Sequence, residues 1–212
     1  MLAEVDGLLR AEGPYAVGAR RVPVMRFLAI LCLGGLIYGA AMGSFSLRPL
    51  QMLYSAAKVP LLLSLAALVC LPSFFVVNTL LGLRDDFPSA LRAVLAAQAT
   101  VAASLLALMP LILFLYASSH DYRFAVQANG LLFLLATLGG QRGLDRHYRP
   151  LVLKDPRHRI ARRAWILLYV FVAIQLAWVL RPFVGSPGLD VHFFREGAWS
   201  NAYVVLFRDL LF

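Results

Sequence analysis

The stretch VPLLLSLAALVCLPSFFVVNTLL, residues 59–81, decides the fold class because it contains no charged side chain. A helix needs roughly 20 predominantly apolar residues to cross a hydrocarbon core about 30 Å thick. An uncharged run of this length is therefore typical of a transmembrane helix. Pro72 lies inside it and Pro110 lies inside a later run. We expect kinks at both and no breaks, because neighbouring helices satisfy the carbonyls that a proline frees.

The composition extends this interpretation to the whole chain. Of the 212 residues, 61% are hydrophobic and 15% are charged, and the mean hydropathy is +0.76. Soluble domains are usually about 45–50% apolar and about 25% charged. The sequence therefore indicates an integral membrane protein with room for about four to six spans and no soluble domain of ordinary size.

The apolar runs predict an all-α fold, an integral membrane helical bundle of about five transmembrane helices plus interfacial helices. Residues 46–60 are expected to lie along the interface as a short helix. The tail from Gly197 to Phe207 is expected to form another, with a sixth span as the alternative. In domain terms, residues 1–26 form an N-terminal segment with a short amphipathic helix, and 185–212 form an interfacial tail. The membrane domain, 27–184, contains the predicted spans 27–45, 59–81, 90–116, 124–140 and 164–184.

Charge predicts the orientation. The formal net charge is +9, and most of the 20 Lys and Arg residues fall in 1–26, in the hairpin near residue 85 and in a basic loop at 141–163. Because Lys and Arg are enriched on cytoplasmic loops, we expect the N-terminus inside and the C-terminus outside. Basic residues between apolar spans suit anionic lipid headgroups. The expected partners are therefore the bilayer and other membrane proteins, with no nucleic acid.

The basic loop supplies the first candidate contacts. Arginine forks grip phosphates and carboxylates through paired hydrogen bonds, so the loop is a candidate site for a phosphate or an acidic partner. The alternative is simple anchoring to anionic lipid. The candidate residues are Arg146, Arg149, Arg157, Arg159, Arg162 and Arg163.

Polar side chains inside the spans supply a second set. Such groups either form interhelical hydrogen bonds or bind a substrate near the midplane. A small transporter or permease component would be favoured if Gln127, Asn129 and Gln175 faced one hydrated cavity. The absence of an ionisable residue at the centre of any predicted span weighs against an ion-coupled pump. The full set is Asn78, Gln98, Gln127, Asn129 and Gln175.

Two adjacent carboxylates, Asp85 and Asp86, raise the question of a metal-dependent enzyme. A DDxxD motif would need a third acid at position 89, which is Ser89. The alternative is a hairpin turn in which Asp86 caps the next helix and Pro88 occupies its first turn. A membrane phosphotransferase that uses both aspartates with the basic loop is therefore the third hypothesis.

Metal and cofactor sites are not expected. The four histidines fall outside the predicted spans, without metal-ligand spacing. The cysteines, Cys32 and Cys70, lie in apolar runs, where a free cysteine acts as a small apolar side chain. In the first span, Gly35, Gly39 and Gly43 recur every four residues and predict a face for close helix packing.

The middle of the chain resembles the Yip-domain family of small five-span membrane proteins involved in trafficking, which also has bacterial members. The resemblance covers residues 70–115 and is carried by FFVVNTLLGL, DFPSALRAVLAAQ and MPLILF. It implies a non-enzymatic membrane organiser that works through other proteins or lipids. The leading functional hypothesis is accordingly a non-enzymatic scaffold or accessory subunit of a membrane complex.

Overall fold

A computed structural model describes residues 2–10, 12–15, 24–195 and 197–204. The described residues are helical with no strand, and α2 to α6 are long and apolar enough to cross a membrane. The predicted fold class, an all-α membrane bundle with five spans, is confirmed. The helices are α1 Leu2–Arg10, α2 Val24–Gly43, α3 Pro49–Leu80, α4 Phe87–Ser118, α5 Tyr122–Lys154 and α6 His158–Leu180.

Successive long helices run in opposite directions, so the bundle has two ends. We call the end that holds the start of α4 and the turn at 155–157 the basic end. The opposite end holds the end of α2 and residues 181–204, and we call it the tail end. Pro72 and Pro110 lie inside continuous helices, so the expectation of no breaks is confirmed.

Helix α4 lies at the centre, with its most extensive contacts to α5 and α2. Its buried face is rich in alanine, and glycines of α5 pack against this face. A methyl group added at Gly139 would lie 2.9 Å from the hydroxyl of Ser104, and one at Gly143 would lie 2.9 Å from that of Thr100. Small side chains thus allow the two helix backbones to approach closely, which stabilises helix pairs in lipid.

The glycine face of α2 packs inside the chain against α3. A Cβ atom at Gly39 would lie 2.8 Å from the Cα of Ala56, and one at Gly43 would lie 2.8 Å from the carbonyl oxygen of Gln51. The backbone of α3 therefore occupies the space that side chains would need. The prediction of a close-packing face is confirmed, and its partner is α3.

The predicted interfacial helix at 46–60 is wrong, because all but its first residues belong to α3. Pro49 sits in the first turn, where a proline fits, and the helix continues for 32 residues. At 1.5 Å per residue this is about 48 Å, longer than the hydrocarbon core. The polar side chains at its start, Gln51, Ser55 and Lys58, are buried in the tail end.

The predicted basic loop at 141–163 is also wrong in its extent, because only residues 155–157 leave the helices. Helix α5 has 33 residues and continues past its apolar span. Leu144, Tyr148 and Leu151 recur at spacings of four and three and are buried against the start of α4. This apolar stripe keeps the segment helical, as on any amphipathic helix.

The two terminal segments pack onto the bundle. The predicted amphipathic helix is confirmed as α1, whose Val5 and Leu8 are buried beside α4. In the tail, the described residues show one helical turn, at 202–204, and the Tyr203 hydroxyl donates to the carbonyl of Phe171, 2.6 Å away. The tail thus lies along α6. Residues 205–207 of the predicted interfacial helix lie outside the described part of the chain.

Candidate functional site

Three of the candidate arginines at the basic end bind their own chain. Arg146 donates to the carbonyl oxygen of Leu9 at 2.7 Å, and Arg162 pairs with Asp145. Arg157 pairs with the carboxylate of Asp155 at 2.8 Å and also donates to a backbone carbonyl of the α3–α4 turn. These side chains fix α1 and the helix ends in place.

The Asp155 carboxylate organises the turn between α5 and α6. Hydrogen bonds from the side chain and backbone of Arg157 hold the pKa of Asp155 below its usual value. The remaining candidates, Arg149, Arg159 and Arg163, are exposed, and none of their side chains hydrogen-bonds to another described residue. Three of the candidate arginines are therefore available to an external anion.

Asp86 binds across the basic end instead of capping α4. It stands at the N-cap position, but its side chain makes no capping hydrogen bond. Its carboxylate forms an ion pair with Lys154, and its second oxygen lies 3.3 Å from the Nε2 atom of His158. Asp85 is exposed. Among the residues described, no group of three or more His, Cys, Asp or Glu side chains could hold a metal ion.

The histidines of the basic end lie in helices, contrary to the prediction of loop positions. His147 belongs to α5, and His158 opens α6 and is fully buried. The ring of His158 meets that of Tyr148 edge-on, with centroids 5.8 Å apart. His158 and Tyr148 are both fully buried, so they form part of the packing between α5 and α6.

Most of the polar side chains inside the spans are used within the protein. Asn78 donates to the carbonyl of Phe74 within α3 at 2.8 Å, and Tyr169 of α6 donates to Gln98 of α4 at 2.9 Å. The second bond joins two helices, and both leave fewer polar groups for a substrate.

The three residues expected to line one cavity do not come together. Asn129 accepts from the hydroxyl of Tyr38 and donates to that of Tyr116. Gln127 is exposed on the outside of α5. Gln175 holds the backbone of the tail, since it donates to the carbonyl of Ser200 at 3.2 Å and accepts from the amide of residue 202 at 3.0 Å.

The tail end contains two adjoining cavities. The first, about 420 Å³, lies between α5, α6 and the segment after α6, and most of its lining is apolar. The second, about 370 Å³, is more polar. Tyr122, Pro182 and Arg195 line both of them. Other residues lining the first include Met42, Leu62, Val126, Asn129, Gly130, Phe133, Ala177 and Arg181.

Besides Arg48, which lines the second cavity, three cations lie around these cavities: Lys58, Arg181 and Arg195. Lys58 is fully buried and donates to the carbonyl of Pro182 at 2.8 Å, with its Nζ atom 4.9 Å from the ring centroid of Phe193. Arg181 stacks on Trp178. Burial, together with the positive charge of Arg195, lowers the pKa of Arg181 from its ordinary value. Within the described residues, no carboxylate forms a salt bridge with any of the three.

This cationic group was missed in the sequence, although one signal was present. Gln51, Ser55 and Lys58 are spaced four and three apart, which places them on one face of a helix. A polar face next to an apolar span indicates a buried polar contact. Its partners, the carbonyls of Pro182 and Phe183, lie more than 120 residues away in sequence and carry no recognisable signal.

The fold and these sites define a multi-pass helical membrane protein. Comparison of the chain with protein-family models, curated proteins and solved structures gives no match. The resemblance to the Yip-domain family therefore stays a prediction.

Proposed function

We propose that this protein is a non-enzymatic accessory or scaffold subunit of a membrane complex, with its basic end as the contact surface. The observation that carries the proposal is the set of exposed arginines, Arg149, Arg159 and Arg163, which have no partner among the described residues. Arginines without an internal carboxylate are free to bind an acidic segment of a neighbouring protein.

The rest of the bundle supports a rigid role. Close glycine and alanine packing joins α2, α3, α4 and α5. The transporter hypothesis loses its main support, because Gln127, Asn129 and Gln175 point to three different surroundings. The phosphotransferase hypothesis is weakened because Asp86 is engaged by Lys154 and His158, while Asp85 makes no ion pair among the described side chains.

Replacing the three exposed arginines with glutamine is expected to lower the amount of copurified partner by at least about tenfold. Each substitution removes a charged contact with the partner and leaves the internal ion pairs intact. The measurement is quantitative mass spectrometry of proteins that copurify in mild detergent. A matched control is Arg123→Gln, an exposed arginine at the opposite end. Equal recovery from the triple variant and the control would contradict the proposed contact surface. So would solute movement by the protein alone in liposomes.

The predicted orientation has its own test. In a background without Cys32 and Cys70, Ser89→Cys reports the basic end and Ser186→Cys the tail end. If the N-terminus is inside, a membrane-impermeant maleimide applied to intact cells labels position 186 and leaves position 89 unlabelled. The reverse pattern would place the basic end outside.

A further inference from the structure

The apolar cavity of the tail end is lined in part by exposed residues of a membrane-spanning helix, α5. Helices α5 and α6 have few contacts with each other. The ion pairs that α6 forms, Arg162 with Asp145 and His158 with Asp86, both lie at the basic end. Val126 and Gly130 line the cavity from α5 and are exposed, and Ala177 lines it from α6. A methyl group added at Gly130 would meet nothing within 4 Å. The chamber is therefore reachable by an apolar chain from lipid.

Positive charge lies where this chamber meets the second cavity. Arg181 and Arg195 both line the apolar chamber, and Arg195 also lines the polar one. The Nε atom of Arg181 is buried with no hydrogen-bond partner. An unpaired buried donor of a charged group is costly, and an anion between the two guanidinium groups would satisfy it.

The second cavity is more polar and is lined in part by exposed residues. Its lining includes Arg48, Asp190 and His192, all of which are exposed or partly exposed. The two adjoining cavities thus offer an apolar chamber, a pair of arginines and a polar vestibule. A ligand with an apolar chain, an anionic group and a polar head would match all three.

We propose that the tail end binds one anionic amphiphile of the phospholipid class, with an acyl chain in the apolar chamber and its phosphate between Arg181 and Arg195. A chamber of about 420 Å³ is within the usual range for ligand sites. Free phosphate would satisfy the arginines but leave the chamber unfilled. A neutral lipid would fill the chamber and leave the arginines unpaired. The inference is independent of the contact surface at the basic end.

The test uses the full-length protein in detergent micelles with three probes: dioleoyl phosphatidylglycerol, dioleoyl phosphatidylcholine and inorganic phosphate. Native mass spectrometry counts bound lipid, and thermal unfolding reports stabilisation. We expect one tightly bound phosphatidylglycerol and a raised unfolding midpoint, with much weaker effects from phosphatidylcholine. Equal binding of the two lipids would overturn the proposal, and so would a full effect from phosphate alone, which would indicate a site for free anions.

Variants separate the site from general adsorption. Arg181→Gln with Arg195→Gln is expected to weaken phosphatidylglycerol binding about tenfold or more, while Arg123→Gln at the same end binds as wild type. Gly130→Phe keeps all cations and fills the chamber, so it is expected to lose the lipid while its helical circular dichroism stays unchanged. Retained binding in Gly130→Phe would overturn the proposal. Loss of binding only in the variant of Arg149, Arg159 and Arg163 would assign the lipid to the basic end instead.

Discussion

Replacing Gly39 with alanine is expected to destabilise the bundle by about 2 kcal/mol, although the same change in an ordinary helix interior stabilises it. Alanine normally stabilises a helix interior relative to glycine by roughly 1 kcal/mol. At Gly39, however, the new methyl group would fall within 3 Å of the backbone at Ser55 and Ala56. Backbone cannot rotate away as a flexible side chain can, so α2 and α3 must separate. Overpacking of this kind typically costs about 1–3 kcal/mol.

The matched control is Gly130→Ala. Gly130 also lies inside a long helix, but an added Cβ there meets nothing within 4 Å. The same substitution is therefore expected to be neutral or to stabilise by up to about 1 kcal/mol. Thermal unfolding in detergent micelles measures both. We expect a midpoint lower by roughly 4–8 °C for Gly39→Ala, scaled from soluble domains of this size. Equal midpoints for the two variants would show that the α2–α3 contact is looser than described.

The packing that gives Gly39 this role could be predicted from the sequence, and so could the number of spans. Uncharged runs of about 20 residues have one stable solution in a bilayer, because every backbone group must be hydrogen-bonded internally. Glycines at every fourth position lie on one helix face. Both signals are local, and they do not depend on which helices become neighbours.

The ends of the helices could not be predicted as well. Hydropathy shows which residues lie in the hydrocarbon core, but a helix can continue beyond that core into the interface or water. Helix α5 continues beyond its apolar span because Leu144, Tyr148 and Leu151 bury an apolar stripe against the start of α4. That stripe is visible in the sequence once the basic residues around it are set aside. Helix α3 begins ten residues earlier than the predicted span for a similar reason, since its first turns are buried against the tail end.

The sites were least predictable because they join distant segments. The sequence allowed Asp86 to meet the basic loop at 141–163, but nothing near Asp86 indicates that Lys154 and His158, about 70 residues away, are its partners. Arg195 lies in the predicted interfacial tail at 185–212, where nothing in the neighbouring sequence indicates a site. The fold places Arg195 in the lining of the cavity that Arg181 also lines, and this position makes it a candidate contact for an anion.

Lys58→Glu is expected to have the other large effect, because it reverses the charge at a fully buried position. The ammonium of Lys58 donates to the Pro182 carbonyl at 2.8 Å and lies over the ring face of Phe193. A carboxylate would face an oxygen atom and an electron-rich ring, both of which repel it. We expect a loss of about 3 kcal/mol or more, because a buried charge without a partner is strongly destabilising.

The control for this variant is Lys58→Met, which keeps much of the apolar stem and removes the charge. It gives up one charged hydrogen bond but also the cost of burying an ammonium group, so we expect its stability within about 1.5 kcal/mol of wild type. Thermal unfolding measures the difference, and limited chymotrypsin cleavage at Phe183 or Phe193 reports whether the segment after α6 has detached. Lys58→Glu should be cleaved faster than Lys58→Met. If both variants unfold and are cleaved alike, the loss lies in the missing donor and not in the reversed charge, and Lys58 would not be a centre of positive potential at the tail end.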